Sequence, residues 1–190
     1  ITANAKYTVE LKPEFEEGEY TVEDGGNTSV KVTNTAEFTE AFADANMDVI
    51  VLGADINLND LMTRAAADPT FTVAAAKTLT IDLGGHTLSA TSAQSGKNYD
   101  MFLVKGNLTV MNGTIEYEHK GENMGWGSMT CIFDVTAGGV LNLEGVTAKN
   151  LGGSDMGFVA HLNNWGEVTL NAENCTLESN YVAVRVFNSG

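Results

Sequence analysis

Residues 78–89 read TLTIDLGGHTLS, and they begin the repeat from which the fold is inferred. Apolar and polar side chains alternate up to Leu83, which is typical of a strand with one buried face. The Gly84-Gly85 pair then predicts a bend, and Thr87-Leu88 begins a second strand. The same order of strand, Gly- or Asn-bearing bend and Thr returns three more times. The repeated threonines are 87, 114, 147 and 176, at spacings of 27, 33 and 29 residues.

A second apolar strand precedes each later repeat, and a last one has no repeat after it. These strands are Met101–Val104, Cys131–Val135, Phe158–Leu162 and Tyr181–Val186. The period is too long for hairpins, and it lacks the helical half of a βαβ unit. Repeats of this kind bury their apolar faces by stacking, with successive strands pairing in parallel at about 4.8 Å. The sequence therefore predicts an all-β coil.

Alternation assigns the side chains of this coil to columns. We expect the four repeated threonines to form an outward ladder, where β-branched side chains fit a pleated surface. The predicted inward columns are Phe102, Phe133 and Ala160; Val104, Val135 and Leu162; and Leu79, Leu108, Leu141 and Val168.

The coil is predicted over residues 33–190, behind an extended or hairpin-like, β-prone N-terminal segment at 1–32. A short helix is expected at 35–45, because Phe38, Ala41, Phe42 and Ala45 form one apolar stripe. Asn34 and Glu37 have the spacing of a capping box. A second short helix is expected at residues 60–67, as an insertion in the first rung.

Residues 78–89 resemble the opening rung of right-handed parallel β-helix proteins of the pectate-lyase-like superfamily. A short helix and a strand like Val49-Ile50-Val51-Leu52 precede that rung in many bacterial surface members, as they do here. The resemblance covers residues 33–190 and implies a right-handed solenoid whose N-terminal helix caps the open end of the coil. It implies little about activity, because the fold hosts lyases, hydrolases, epimerases and non-catalytic adhesins.

The C-terminal end lacks such a cap in the sequence pattern. Val182, Val184 and Val186 are predicted as inward residues of a last rung with nothing above it. We therefore expect either a longer natural chain or an end-to-end contact with another molecule through this rung.

Charge and composition exclude several partners. The formal net charge is −15, and the only arginines are Arg64 and Arg185, so nucleic acid and anionic lipid are disfavoured. No apolar run approaches the roughly 18 residues of a membrane span, so no membrane insertion is expected.

Cys131 and Cys175 lie in apolar patterns and are expected to be buried free thiols. The low Cys and Arg content, with abundant Thr, Asn, Gly and Asp, favours a secreted or cell-surface bacterial protein.

No catalytic set and no metal site emerge from the sequence. Asp82 and Glu144 are outward positions two rungs apart, about 9–10 Å at the spacing of parallel strands, with Met111 between them and Asn171 following. That separation suits an inverting carboxylate pair, but exposed polar positions are the favoured interpretation. The three scattered histidines have no ligand spacing. No cofactor is expected; the acidity is compatible with calcium, but no ligand pattern supports it.

One outward column is a candidate binding strip. If Phe133 and Ala160 point inward, then Asp134, His161 and Arg185 stack outward on three successive rungs. The functional alternative is a polar binding or acid–base strip. The favoured alternative is an exposed charge ladder of small energetic value.

Aromatic and amide side chains near the rung corners are candidate glycan contacts, because rings stack on sugars while amides bond hydroxyl groups. The predicted contacts are Trp126, Trp165, Tyr99, Asn163 and Asn164.

The function predicted from these features is a secreted or surface-exposed, non-catalytic module that contacts polysaccharide or a host or bacterial surface glycan, or acts in adhesion. One alternative is a truncated or degenerate polysaccharide lyase or glycoside hydrolase, which a groove of clustered carboxylates would favour. Another is a structural spacer in a longer surface protein.

Overall fold

The computed structural model describes residues 27–58, 71–92, 99–119, 130–151, 156–164 and 166–188. In this part of the chain every paired strand runs parallel to its neighbour, and the architecture is a parallel β-solenoid with a single short helix. The elements are β1 (Ser29–Val32), α1 (Thr35–Ala43), β2 (Val49–Leu52), β3 (Ile56–Asn57), β4 (Phe71–Val73), β5 (Thr78–Asp82), β6 (Thr87–Ser92), β7 (Tyr99–Val104), β8 (Asn107–His119), β9 (Thr130–Val135), β10 (Val140–Asn150), β11 (Gly157–Asn164), β12 (Thr169–Glu173), β13 (Thr176–Ser179) and β14 (Val182–Asn188).

The strands line three faces of the coil. The first face holds β1, β2, β5, the first halves of β8 and β10, and β12. The second face holds β3, β6, the second halves of β8 and β10, and β13. The third face is a separate sheet in the order β14-β11-β9-β7-β4.

A residue in the left-handed backbone region marks the corner between the first and second faces. Asn112, Gly145 and Asn174 have φ angles of 59°, 63° and 54°, and each occupies the same position of its rung. Glycine, and less readily asparagine, adopts this conformation. The bend predicted from Gly and Asn is therefore a column of equivalent corners.

The inward columns predicted on the third face are confirmed. Phe133 lies opposite both Phe102 and Ala160, and Val135 lies opposite both Val104 and Leu162. The outward threonine ladder is also confirmed, because Thr147 lies opposite Thr114 and Thr176, and Thr87 opposite Thr114.

The predicted register of the last repeat on the first face was wrong. Leu170, and not Val168, continues the column of Leu79, Leu108 and Leu141, and Glu173, and not Asn171, lies opposite Glu144. The bend of the first repeat, through Gly84 and Gly85, is longer than the bends of the next two repeats. The prediction assumed this longer bend in the last repeat as well. The last bend instead matches the two repeats before it.

Helix α1 packs its aromatic side chains onto the first rungs of the coil. The Phe38 and Phe42 rings lie 5.3 and 4.8 Å from that of Phe71, which stacks 5.5 Å from Phe102. Phe102 in turn stacks 5.6 Å from Phe133. The core is therefore continuous from the helix into the coil, as a capping role requires.

The helix is shorter than predicted. It ends at Ala43, and Ala45, which was expected in its apolar stripe, is exposed outside it. Asn34 is the N-cap and accepts the Glu37 backbone N–H at 3.0 Å. Glu37 accepts the backbone N–H of Thr33, one residue before the position that a capping box requires. This bond lowers the pKa of the Glu37 carboxyl.

Strand β1 pairs in parallel with β2, so residues 29–32 are part of the first sheet. The helix predicted at residues 60–67 lies outside the described residues. Both cysteines are free, as predicted, but only Cys131 is buried; Cys175 is partly exposed.

The last rung exposes apolar side chains. Val184 packs against the core, whereas Val182 is 39% exposed and lies opposite Phe158, and Val186 is 65% exposed. The predicted inward position of Val182 is therefore wrong. Val182 lies opposite Phe158, whose side chain is not part of the interior core.

Candidate functional site

Asp134, His161 and Arg185 form one column on the outer side of the third face of the coil. His161 on β11 lies opposite Asp134 on β9 and opposite Arg185 on β14. The stacking expected from the repeat is therefore present, at the roughly 4.8 Å spacing of parallel strands.

The column is not an exposed ladder, which corrects the favoured interpretation of the sequence. His161 is only 3% exposed, and the Asp134 side chain is 16% exposed. The His161 Nδ1 lies 3.0 Å from Asp134 Oδ1. A carboxylate only accepts, so Nδ1 carries the proton and donates it to Asp134.

A break in the alternation of β9 and β11 explains this burial. Ile132 and Phe133 are consecutive, yet both belong to the interior core, as do Val159 and Ala160. Cys131 and Phe158 are buried as well but lie outside that core, on the outer face. The Phe158 ring consequently stacks 5.8 Å from the His161 imidazole and shields it from water.

Arg185 lies between two aromatic rings. Its guanidinium carbon is 5.4 Å from the centre of the Phe158 ring and 5.2 Å from that of Phe187. A planar cation is attracted to the faces of such rings, and this attraction strengthens as water is excluded. Phe187 also lies 6.3 Å from His161 and is 37% exposed, so it forms the rim of the site.

Asp100 and Cys131 lie beside these residues, and the sequence pattern indicated no functional role for either of them. Burial raises the pKa of the Asp100 carboxyl to about 7, with a further contribution from the negative charge of Asp134. A hydrogen bond with Cys131 and the nearby His161 oppose this rise only in part. Burial, followed by the charges of Asp100 and Asp134, raises the pKa of the Cys131 thiol well above its usual value, so Cys131 is not an activated nucleophile.

A signal for Asp100 was present in the sequence. It is a carboxylate inside the predicted strand series, one residue before Met101, and it lies opposite Cys131. Strict alternation assigns both Asp100 and Cys131 to the interior. In the structure the consecutive interior residues Met101 and Phe102 on β7, like Ile132 and Phe133 on β9, bring both side chains to the outer side. We call Asp100, Cys131, Asp134, Phe158, His161 and Arg185 the third-face cluster.

The predicted glycan contacts are only partly described. Trp126 and Trp165 lie outside the described residues. Tyr99 and Asn164 lie on β7 and β11, opposite Thr130 and Asn188. Asn163 is two residues from His161 and opposite Phe187, which places it beside the third-face cluster. Its Oδ1 is buried, and so is His161 Nε2; neither has a hydrogen-bond partner among the described residues.

The first face carries polar ladders with structural roles. Asn171 donates to Asn142 at 2.8 Å, and Asn142 donates to Asn107 at 3.0 Å. Asp82 accepts from the backbone of Gly84 and from Asn112, and so stabilises the corner. Asp82 and Glu144 both lie opposite Met111, which separates the two carboxylates as the sequence predicted.

In the described segments, no group of three His, Cys, Asp or Glu side chains is arranged to hold a metal ion. No helix in them is long and apolar enough to span a membrane.

Residues 29–186 match the family described as a pectate lyase-like adhesive domain. No curated protein and no solved structure matches the chain. The family match begins at β1 and ends within β14, so it spans the whole described coil. The chain therefore belongs to the pectate lyase-like adhesive domain family.

Proposed function

We propose that this protein is a non-catalytic adhesive module, secreted or displayed on a bacterial cell surface, and that it contacts glycans through the third face of the coil. The family supports adhesion, and a surface or secreted location follows from such a role. The observation that carries the glycan proposal is the rim of the third-face cluster, where exposed aromatic rings adjoin buried polar groups.

Two rings form this rim. Tyr181 is 57% exposed and packs edge-on against Phe158, and Phe187 is 37% exposed beside Arg185. Exposed rings supply a stacking surface for the apolar face of a sugar, while neighbouring polar groups bond its hydroxyls. The net charge of −15 favours neutral ligands over polyanions.

A glycan array tests this proposal. The labelled protein is applied to plant, host and bacterial polysaccharides, and Tyr181→Ala and Phe187→Ala are compared with Thr176→Ala, an exposed change on the second face. We expect binding that falls about tenfold in the two rim variants and stays unchanged in the control. Equal binding by the wild type and the two rim variants, or an array without signal, would refute the glycan proposal.

A specific observation also favours a second candidate, glycoside hydrolysis. Asp100 and Asp134 lie on adjacent rungs, and burial and charge keep Asp100 protonated to about pH 7 while Asp134 accepts a hydrogen bond from His161. A carboxyl group with a raised pKa beside a second carboxyl group is the pattern of a glycosidase acid and its partner.

Release of reducing ends from the polysaccharides bound on the array distinguishes the two candidates. Turnover above background that Asp134→Ala and Asp100→Asn abolish would establish hydrolysis and overturn the non-catalytic proposal. We expect no turnover in either variant or in the wild type.

A further inference from the structure

His161 and Asn163 present two buried polar atoms to the same side of β11. Among the described residues, neither His161 Nε2 nor Asn163 Oδ1 has a hydrogen-bond partner. A buried polar atom without a partner costs free energy, so such atoms in folded proteins call for an explanation. Residues two apart on a strand share a face and lie about 6.6 Å apart, so one small molecule or two adjoining sugar rings can reach both.

Resting on the proposed function, we infer that these two atoms form a subsite for neutral sugar, in which one hydroxyl group bonds His161 Nε2 and another donates to Asn163 Oδ1.

The hydrogen-bonding chemistry selects a hydroxyl group at each position. Asp134 holds the His161 proton on Nδ1, which leaves Nε2 as an acceptor in the neutral imidazole. A hydroxyl both donates and accepts, so it also matches the imidazolium form. The Asn163 Oδ1 only accepts, so its partner must be a donor.

The surrounding charges exclude the other classes of ligand. A carboxylate or phosphate has no proton to donate to Asn163 Oδ1 and would approach Asp134 and a protein of net charge −15. An ammonium group could donate, but it would approach the Arg185 guanidinium on the adjacent strand. A neutral, hydroxyl-bearing ligand avoids both conflicts.

Access to the subsite is from the last strand. Phe187 lies opposite Asn163 and 6.3 Å from the His161 ring, and Arg185 lies opposite His161. Both belong to β14, the edge strand of the sheet, which is paired on one side only within the described residues. Phe187 is 37% exposed, so a sugar enters by displacing its ring and then stacks against it.

Matched variants separate this subsite from simple loss of structure. The His161→Asn variant keeps an N–H donor for Asp134 near the position of Nδ1 but has no polar atom at the position of Nε2. The His161→Gln variant places a polar group near the position of Nε2. Asn163→Leu removes the acceptor with little change in shape, and Asn163→Asp retains it. Circular dichroism and thermal melting confirm that each variant is folded.

Binding is measured by saturation-transfer NMR and by titration of the protein with D-galactose, D-glucose, D-mannose and N-acetyl-D-glucosamine. D-galacturonate is the acidic comparator. We expect at least one neutral sugar to bind. Its Kd should rise about tenfold or more in His161→Asn and in Asn163→Leu, and by less than about threefold in His161→Gln.

Three outcomes would overturn the subsite. Unchanged affinity in both His161→Asn and Asn163→Leu, while the rim variants still lose array binding, refutes the subsite and leaves the glycan proposal standing. Tighter binding of galacturonate than of galactose refutes the preference for a neutral sugar. Failure of every sugar to bind refutes the subsite, and if the array is also silent, the glycan proposal fails with it.

Discussion

Asp100 is a partly buried carboxyl group near a second carboxyl group, that of Asp134. Its pKa is raised from 3.8 to about 7, mainly by burial and secondly by the charge of Asp134. The folded protein therefore holds this proton up to about pH 7, whereas the unfolded chain releases it near pH 3.8. Between these values the folded state binds more protons, so the contribution of Asp100 to stability falls as pH rises.

Asp100→Asn removes this titration. Each unit of pKa shift corresponds to about 1.4 kcal/mol, so we expect the free energy of unfolding of the variant relative to the wild type to increase by up to about 4 kcal/mol between pH 4 and pH 7.5. Urea denaturation at several pH values measures this difference. Glu167→Gln, a change at an exposed residue, is the control, and parallel pH profiles of wild type and Asp100→Asn would contradict the account.

The sequence predicted the column of Asp134, His161 and Arg185 because parallel pairing follows from the repeat. It did not predict that His161 is buried. That burial depends on two consecutive inward residues, Val159 and Ala160, which bring Phe158 to the outer face. A pattern of period two does not reveal such a break, because every residue in this stretch of β11 is apolar up to His161.

At the level of the structural elements, the corner between the first and second faces depends on the backbone of Asn112, Gly145 and Asn174. Any residue other than Gly, Asn or Asp is strained in this left-handed backbone conformation by about 1–2 kcal/mol. The side chain of Asn112 also donates to Asp82 on the neighbouring rung.

Substitutions at Asn112 separate these two effects. We expect Asn112→Ala to lower the free energy of unfolding by about 2–3 kcal/mol, because alanine is strained in this backbone conformation and the hydrogen bond to Asp82 is lost. Asn112→Gly loses the same bond but introduces no strain, so it should be the more stable of the two variants in thermal unfolding. Equal melting temperatures for Asn112→Ala and Asn112→Gly would show that backbone conformation does not control the corner.

The N-terminal cap of helix α1 gives a second prediction at this scale. Asn34 accepts the Glu37 N–H, and removal of an N-cap side chain costs about 1 kcal/mol. We expect Asn34→Ala to lower the melting temperature and Asn34→Asp or Asn34→Ser to preserve it. An unaffected Asn34→Ala would mean that packing of Phe38 and Phe42 alone holds the helix.

The helix and nearly all strand registers were predictable, because apolar periodicity and the Thr ladder each recur over many residues. The helix end at Ala43 and the register of Leu170 were not. Asp44 turns the chain out of the helix with an extended backbone, and the length of each bend is set by local backbone conformation, which the sequence pattern does not specify.

For the molecule as a whole, the two ends of the described coil differ. Helix α1 covers the first rungs, whereas the last rung leaves Val186 65% exposed and has β14 as an edge strand. Exposed strand edges with apolar side chains favour association. We propose that this rung makes an end-to-end contact with another molecule.

Sedimentation velocity over a range of protein concentrations tests the contact for a second copy of the chain. We expect reversible association that Val186→Lys abolishes and that Thr176→Lys leaves in place. A monomer at every concentration for the wild type would exclude self-association through this end.

The proposed function depends on the third-face cluster being the binding surface. NMR titration of the labelled protein with the glycan that gives the strongest array signal tests it most directly. We expect chemical-shift changes at the His161 imidazole and in the backbone of β9, β11 and β14, with none along the Thr ladder of the second face. Shifts confined to that ladder or to the first face, with His161 unmoved, would contradict the account.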